Sequence, residues 1–230
     1  SNTLYINDQS GSFVDVTFLA GLGQPSLNYL GFGTKIIDLN YDGHQDIFVV
    51  NGHVIDNIHH FNKDYSHAQK KQIFIGDGSG AFSEISSDKI GDARNPSVGR
   101  GAAFGDLDND GDIDIVIYNN NGPANPLIKT GKPEANWIGI DLVRTESTRE
   151  AIGTWIRIES NEFSQFKYVN PGGSYLASSD KRVLFGLGTH SKVNKITIDW
   201  PSGKTSAYSD LNSNRYYRVI EGGEISEQPY

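Results

Sequence analysis

Apolar residues in this chain gather in short runs of strand length. Ile47-Phe-Val-Val50 and Ile115-Val-Ile-Tyr118 are β-branched and aromatic throughout, a composition that suits a pleated, buried surface. Leu4-Tyr-Ile6, the polar stretch Asn7-Asp-Gln-Ser-Gly11 and Phe13-Val-Asp-Val16 read as strand, turn and strand. Ile73-Phe-Ile75, Gly76-Asp-Gly-Ser-Gly80 and Phe82-Ser-Glu-Ile85 repeat that order, and Gly31-Phe-Gly33 precedes the first apolar run as Gly99-Arg-Gly101 precedes the second. A repeat built only of short strands and tight turns predicts small antiparallel sheets set around an axis, a β-propeller. Residues 4–16 would supply the outer half of one blade, 31–85 a complete blade and 99–129 most of another. Closed rings take about four to eight blades. Further blades are therefore expected upstream in a longer parent protein or, as the less favoured arrangement, from another chain.

Gly122-Pro-Ala-Asn-Pro126 and Gly131-Lys-Pro133 break the repeat, and a different pattern follows. Trp137 to Val143, Thr154 to Glu159, Phe163 to Val169, Arg182 to Leu187, Lys195 to Trp200 and Tyr216 to Ile220 alternate apolar with polar. Such alternation predicts sheets with one wet face, and this many short strands suit a β-sandwich or barrel. The expected architecture is all-β: blades with two loops in 1–130, a C-terminal β domain in 131–222 and a tail in 223–230. Trp155 and Trp200 are expected to pack inside. Gly172-Gly-Ser-Tyr-Leu176 reads as a β-bulge with Tyr175 in the core, the alternative being a loop that offers Tyr175 to a ligand.

Charge changes the picture. Asp106-Leu-Asp-Asn-Asp-Gly-Asp-Ile-Asp114 places an acid at every odd position, and Asp38-Leu-Asn-Tyr-Asp-Gly-His-Gln-Asp46 repeats the pattern one repeat earlier. Carboxylates this dense repel one another unless a cation neutralises them, and calcium takes 6–8 oxygen ligands. Gly43 and Gly111 stand where a wrapping loop needs its sharp bend. The predicted ligands of two Ca2+ sites are Asp38, Asn40, Asp42, Asp46 and the carbonyl of His44, and Asp106, Asp108, Asp110, Asp114 and the carbonyl of Asp112. A helix-loop-helix calcium motif would need Glu at its twelfth position, where this chain has Val49 and Ile117. These are calcium loops between strands.

The chain has 20 basic and 28 acidic residues, a net charge of −8, and two divalent cations would halve that charge. No basic stripe invites nucleic acid. Cysteine is absent, which removes disulfides, thiolate sites and cysteine nucleophiles. No apolar run approaches the ~18 residues of a membrane span, and no signal peptide is visible. Residues 52–72 hold His53, His59, His60 and His67. They read as a polar insertion on the propeller rim, the alternatives being a transition-metal site that would use His59 and His60 and a ligand contact at His53. His59 and His60, being adjacent, are expected to point apart. Gly203-Lys-Thr205 lacks the earlier glycine of a phosphate loop, Ile198 standing there, and neither Gly-x-Ser-x-Gly nor His-Glu-x-x-His occurs. No catalytic residues are assigned.

The acidic loops with the Gly76-to-Phe82 turn resemble the FG-GAP or VCBS repeats of integrin-α-like propellers. The C-terminal part resembles the ASPIC/UnbV domain of the cartilage acidic protein family and its bacterial relatives. The matching words are Asn51-Gly-His53, Arg100 to Gly111, Asn136-Trp137, Ala151-Ile-Gly153, Gly172 to Leu176, Phe185-Gly-Leu-Gly188 and Trp200-Pro-Ser-Gly203. Departures fall at Leu184 and Ser147-Thr-Arg149, away from the loops. The resemblance implies a secreted or cell-surface calcium-binding protein of adhesive or matrix type. Calcium loops suit an extracellular or periplasmic setting where calcium is millimolar, and with no catalytic constellation the expected role is a non-catalytic module for a protein or glycan ligand. The alternative is an accessory region of a secreted carbohydrate-active enzyme whose catalytic part lies upstream.

Overall fold

The computed structural model describes residues 1–86, 89–130, 135–145 and 150–229. Gly131–Pro133 and Ser147–Arg149 lie outside them, so the expected break at 131 and the departure at 147–149 have no structural counterpart here. The described chain is almost entirely β, apart from the single turn α1 (Gly23–Ser26) and short 3-10 turns.

β1 (Tyr5–Asn7) and β2 (Phe13–Asp15) form a two-stranded hairpin. β3 (Gly31–Ile37), β4 (Asp46–Asn51), β5 (Gln72–Gly76) and β6 (Phe82–Glu84) form a four-stranded antiparallel sheet in chain order. β7 (Gly99–Gly105), β8 (Asp114–Asn119) and β9 (Asn125–Leu127) repeat it with three. Register slips at the same place in both sheets, between Gly31 and Thr34 and between Gly99 and Ala102. The first strands of the two sheets pass so close that a Cβ on Gly33 would lie 2.8 Å from the Ala102 nitrogen. That approach explains Gly33, whereas Gly99 is crowded by Val50 of β4 and Gly101 by the Tyr175 carbonyl.

β4 is buried along its whole length because both its faces are covered. Ile47 and Val49 pack with Phe74, Ala20 and Leu22. Phe48 and Val50, on the opposite face, join Phe104, Ile115 and Ile117 of the second sheet. The same cluster takes in Trp137, Leu184 and Tyr216 from the C-terminal part, so one apolar core joins blades to the following domain.

That domain is a sandwich, not a barrel. β10 (Asn136–Val143), β13 (Val183–Gly188), β16 (Arg215–Ile220) and β17 (Ile225–Gln228) form one sheet in the order β13-β10-β16-β17, with β10 and β16 parallel. β11 (Trp155–Glu159), β12 (Ser164–Tyr168), β14 (Lys192–Asp199) and β15 (Thr205–Asn212) form the other, in the order β12-β11-β14-β15. Ile138, Ile140, Ile156, Ile158, Phe185, Ile196, Ile198 and Trp200 fill the space between them. β15 and β17 are edge strands of polar sequence, and β17 lies within the segment expected to be a tail. The exposed side of β13 is closed by side chains: Gln165 Nε2 and Lys167 Nζ donate to the carbonyls of Gly186 and Leu184, both at 2.7 Å.

Three expectations need correction. Trp200 is buried, but Trp155 is 48% exposed, because the alternation that sends Ile156 and Ile158 inward sends Trp155 outward. Tyr175 is likewise half-exposed, on a loop closed by a bridge between Ser174 and Ala177, and its ring meets Phe32 edge-on at 5.3 Å. His59 and His60 share the 3-10 turn Ile58–His60 with ring centroids 4.1 Å apart, a tighter winding than the regular elements on which neighbours diverge.

Candidate metal centre

Each acidic loop joins the first strand of its sheet to the second, Asp38–Asp46 from β3 to β4 and Asp106–Asp114 from β7 to β8. Their hydrogen bonds correspond position by position. The ninth acid accepts the second residue's N–H, Leu39 to Asp46 at 2.9 Å and Leu107 to Asp114 at 2.8 Å. The first acid accepts the glycine N–H, Gly43 to Asp38 at 3.0 Å and Gly111 to Asp106 at 2.9 Å. The fifth accepts the seventh residue's N–H, His44 to Asp42 at 2.8 Å and Asp112 to Asp110 at 2.9 Å. Positive φ falls on Tyr41 and Asn109 at the fourth position and on Gly43 and Gly111 at the sixth. The ninth acid's other oxygen reaches the far side of the sheet, accepting from Gly76 and Lys129 at 3.0 and 2.9 Å.

Those bonds turn the carboxylates inward. Asp38, Asp46, Asp106, Asp112 and Asp114 are buried, whereas Asn40, Asp42 and Asp108 face solvent. Oxygens of Asp106, Asp108 and Asp114 lie within 4.8 Å of one another. The first loop has Asn40 where the second has Asp108, so the third of its predicted ligands is an amide oxygen. The Asp112 carboxylate forms an ion pair with Lys129 at 2.6 Å, leaving its backbone carbonyl as the group predicted to face a cation. Burial pushes Asp38 up to about 6, against the pull of the Lys167 ammonium, and also raises Asp46, Asp110 and Asp114. Asp38 Oδ1 is buried and meets no donor among the described residues. A buried anionic oxygen without a partner, amid acids whose ionisation burial opposes, fits a hard divalent cation and has no other evident use.

The C-terminal sandwich packs against both loops. Tyr216, in β16, donates its hydroxyl to Asp106 Oδ2 at 2.6 Å. Arg182 donates to the Asp106 carbonyl and to Asn109 Oδ1, and its guanidinium lies 4.9 Å from the Tyr216 ring. A Cβ on Gly111 would fall 2.1 Å from the Trp137 ring, and one on Gly186 would fall 2.2 Å from Asp38 Oδ2. Gly188 N–H donates to the Tyr41 carbonyl at 2.9 Å. Sequence reasoning did not connect Tyr216, Arg182, Trp137 or Gly186 with the loops. Gly186 carried a usable signal, since a glycine inside an apolar strand marks close backbone approach.

The remaining candidates lie elsewhere. Tyr175 rests on Phe32, which Arg100 covers at 4.2 Å. His53 Nδ1 accepts the Ile55 N–H at 3.0 Å, its carbonyl accepts from Arg100 at 3.2 Å, and its ring lies 6.0 Å from Tyr65. Among the described residues, the histidines of 53–67 do not gather with carboxylates into a metal-binding group.

Residues 38–117 match the family model described as an FG-GAP-like repeat, and residues 144–226 match that described as ASPIC and UnbV. The first begins on Asp38 and takes in both loops. The two matches give an FG-GAP-like repeat segment followed by an ASPIC/UnbV domain, in keeping with the blades and the sandwich described above. Among curated proteins the chain is similar to cartilage acidic protein 1 of Mus musculus, 23% identical over 266 residues that cover 92% of this chain and 40% of the relative. The Homo sapiens protein of that name is 23% identical over 253 residues, 88% of this chain and 37% of the relative. That of Xenopus tropicalis is 27% identical over 141 residues, 59% of this chain and 20% of the relative. The chain spans about two fifths or less of the length of these relatives. Among the described residues no helix is long and apolar enough to cross a membrane.

Proposed function

We propose that the chain is a calcium-dependent, non-catalytic binding module of an extracellular, cell-surface or periplasmic protein, engaging a protein or glycan ligand. The observation that carries this reading is the buried, unpartnered oxygen of Asp38 in a loop where burial holds Asp38 and Asp46 above their usual range. Asp38, Asn40, Asp42, Asp46 and the His44 carbonyl would hold one ion; Asp106, Asp108, Asp110, Asp114 and the Asp112 carbonyl would hold the other. Bound calcium supplies positive charge that offsets carboxylate repulsion where the sandwich meets the blades. The loop acids serve as ligands and as acceptors of loop N–H groups, not as proton donors, since a bound cation disfavours protonation. An extracellular setting suits such loops, because weak calcium sites fill where calcium is millimolar.

Thermal unfolding in millimolar calcium and in excess chelator tests the reading. A melting temperature that rises with calcium, and no longer does so when Asp38 and Asp106 are both changed to Ala, supports it. Identical melting in calcium and chelator overturns it.

A further inference from the structure

A cleft of about 520 Å³ opens between the two blades and the sandwich, and residues of both loops, Gly43 and Asp106 among them, reach its wall. Its size is that of a small-ligand site. Phe104, Ile113 and Leu184 supply apolar wall, and Lys35 from β3 and Lys167 from β12 bring amines to it. Each amine is part-buried and donates to a main-chain carbonyl, Lys35 to Gly172 at 3.0 Å and Lys167 to Leu184 at 2.7 Å. Other charges lining the cleft are matched: Lys181 pairs with Glu150, Arg182 with Asp180, and the Asp106 carboxylate accepts from Tyr216 and from loop N–H groups. Neither Lys35 nor Lys167 forms an ion pair among the described residues. The carboxylate that acts on Lys167 electrostatically is Asp38, which the proposed function commits to calcium. Two part-buried ammonium groups, Lys35 without an ion pair among the described residues and Lys167 facing a carboxylate that calcium would share, call for an anionic partner.

The rim points to what else that partner carries. β12 alternates, so Lys167 and Gln165 face the fold while Phe166 and Tyr168 stand out beside the cleft they help line. Tyr168 stacks on Trp155 of β11, ring centroids 5.1 Å apart and planes 28° from parallel, and Phe166 lies 5.8 Å from the same indole. Phe166 is 67% exposed, Trp155 48% and Tyr168 47%. Three adjoining exposed rings form an apolar platform, unusual on a solvated sheet face. Rigid aromatic faces of this kind bind at low entropic cost, and the apolar face of a pyranose is a flat, complementary surface.

We propose that this cleft and its aromatic rim form a binding site for an acidic oligosaccharide, one pyranose stacking on Trp155, Phe166 and Tyr168 at the rim while the carboxylate or sulfate of a neighbouring sugar enters the cleft to meet Lys35 and Lys167. The site rests on the reading of the chain as a binding module and gives that module a ligand class. Charge-assisted bonds from the two amines select the anion, and the rings set the orientation of the sugar.

The test is calorimetric titration of the calcium-loaded chain with three short probes: a heparin-derived tetrasaccharide, trigalacturonate and neutral cellotriose. Binding is expected for an acidic probe, the two acidic arms distinguishing sulfate from carboxylate, with affinity falling as salt is raised. Lys35→Gln and Trp155→Ala should each weaken it tenfold or more. Phe166→Ala serves in place of Trp155→Ala if that variant does not melt cooperatively. Absence of binding by both acidic probes, equal binding of cellotriose, or affinity unchanged by either substitution overturns the proposal. If calcium raises the melting temperature but neither acidic probe binds, the cleft assignment alone falls. If calcium has no effect on melting, the proposed function falls instead.

Discussion

The hydroxyl of Tyr216 lies 2.6 Å from Asp106 Oδ2, joining a strand of the C-terminal sandwich to the first acid of the second loop. Both groups are buried, so the bond is charge-assisted and shielded from water. Tyr216→Phe keeps the ring against Trp137 and Arg182 and removes only this donor. The expected cost is about 1.5–3 kcal/mol, read as a lower denaturation midpoint in urea at saturating calcium. An unchanged midpoint would mean that the loop and the sandwich are not coupled through this bond.

Metal-free protein should lose stability as pH rises towards neutrality. Asp38 is raised by burial to about 6 from an ordinary value of 3.8, so the folded state holds its proton more tightly than the unfolded chain does. That contribution is fully present below about 4 and is lost as pH climbs through about 6, on the order of 2–3 kcal/mol. In chelator, the melting temperature of the native chain should fall relative to that of Asp38→Asn between those pH values. Parallel curves for the two proteins would show that Asp38 titrates normally.

The second loop can be isolated through Asp110, half-exposed and without contact to the sandwich in the hydrogen bonds it makes. A ligand that binds only the folded state stabilises by RT ln(1 + [L]/Kd), about 2.7 kcal/mol at a hundredfold excess over Kd. Asp110→Ala should therefore reduce the calcium-dependent rise in melting temperature by several degrees while leaving the chelator value nearly unchanged. Equal melting of variant and native chains in saturating calcium would remove Asp110 from the ligand set.

The repeat was legible because each of its parts is local. A β-branched run after an acidic loop, and a hairpin word with its own turn residues, are contained in a few consecutive positions, and β4, β5 and β8 fall where those words stand. β15 was not legible because Thr205-Ser-Ala-Tyr-Ser-Asp-Leu-Asn212 is largely polar, as an edge strand with little to bury can be. Trp155 shows a different limit. Its strand was recognised, but alternation assigns two faces without saying which is inner, and the size of the side chain favoured the wrong one. Tyr216 depends on a fit between domains far apart in sequence, on which short-range patterns are silent, and the glycine at 186 signals a close approach without saying that Asp38 is what approaches.

Two glycines of similar backbone conformation separate conformational strain from crowding. Gly111 has φ +94° and Gly203 has φ +87°, so alanine at either adopts a left-handed conformation at a cost of about 1–2 kcal/mol. Nothing lies within 4 Å of a Cβ on Gly203, whereas one on Gly111 would fall 2.1 Å from the indole of Trp137, itself buried between loop and sandwich. Gly203→Ala should cost only the backbone term. Gly111→Ala must also displace the ring, adding about 1–3 kcal/mol as overpacking does, and it moves the bend that brings the Gly111 N–H to Asp106. Urea denaturation at saturating calcium should rank the two far apart, and the calcium increment should shrink for Gly111→Ala alone. Equal losses would mean that Trp137 yields freely and that the loop's bend does not depend on the sandwich behind it.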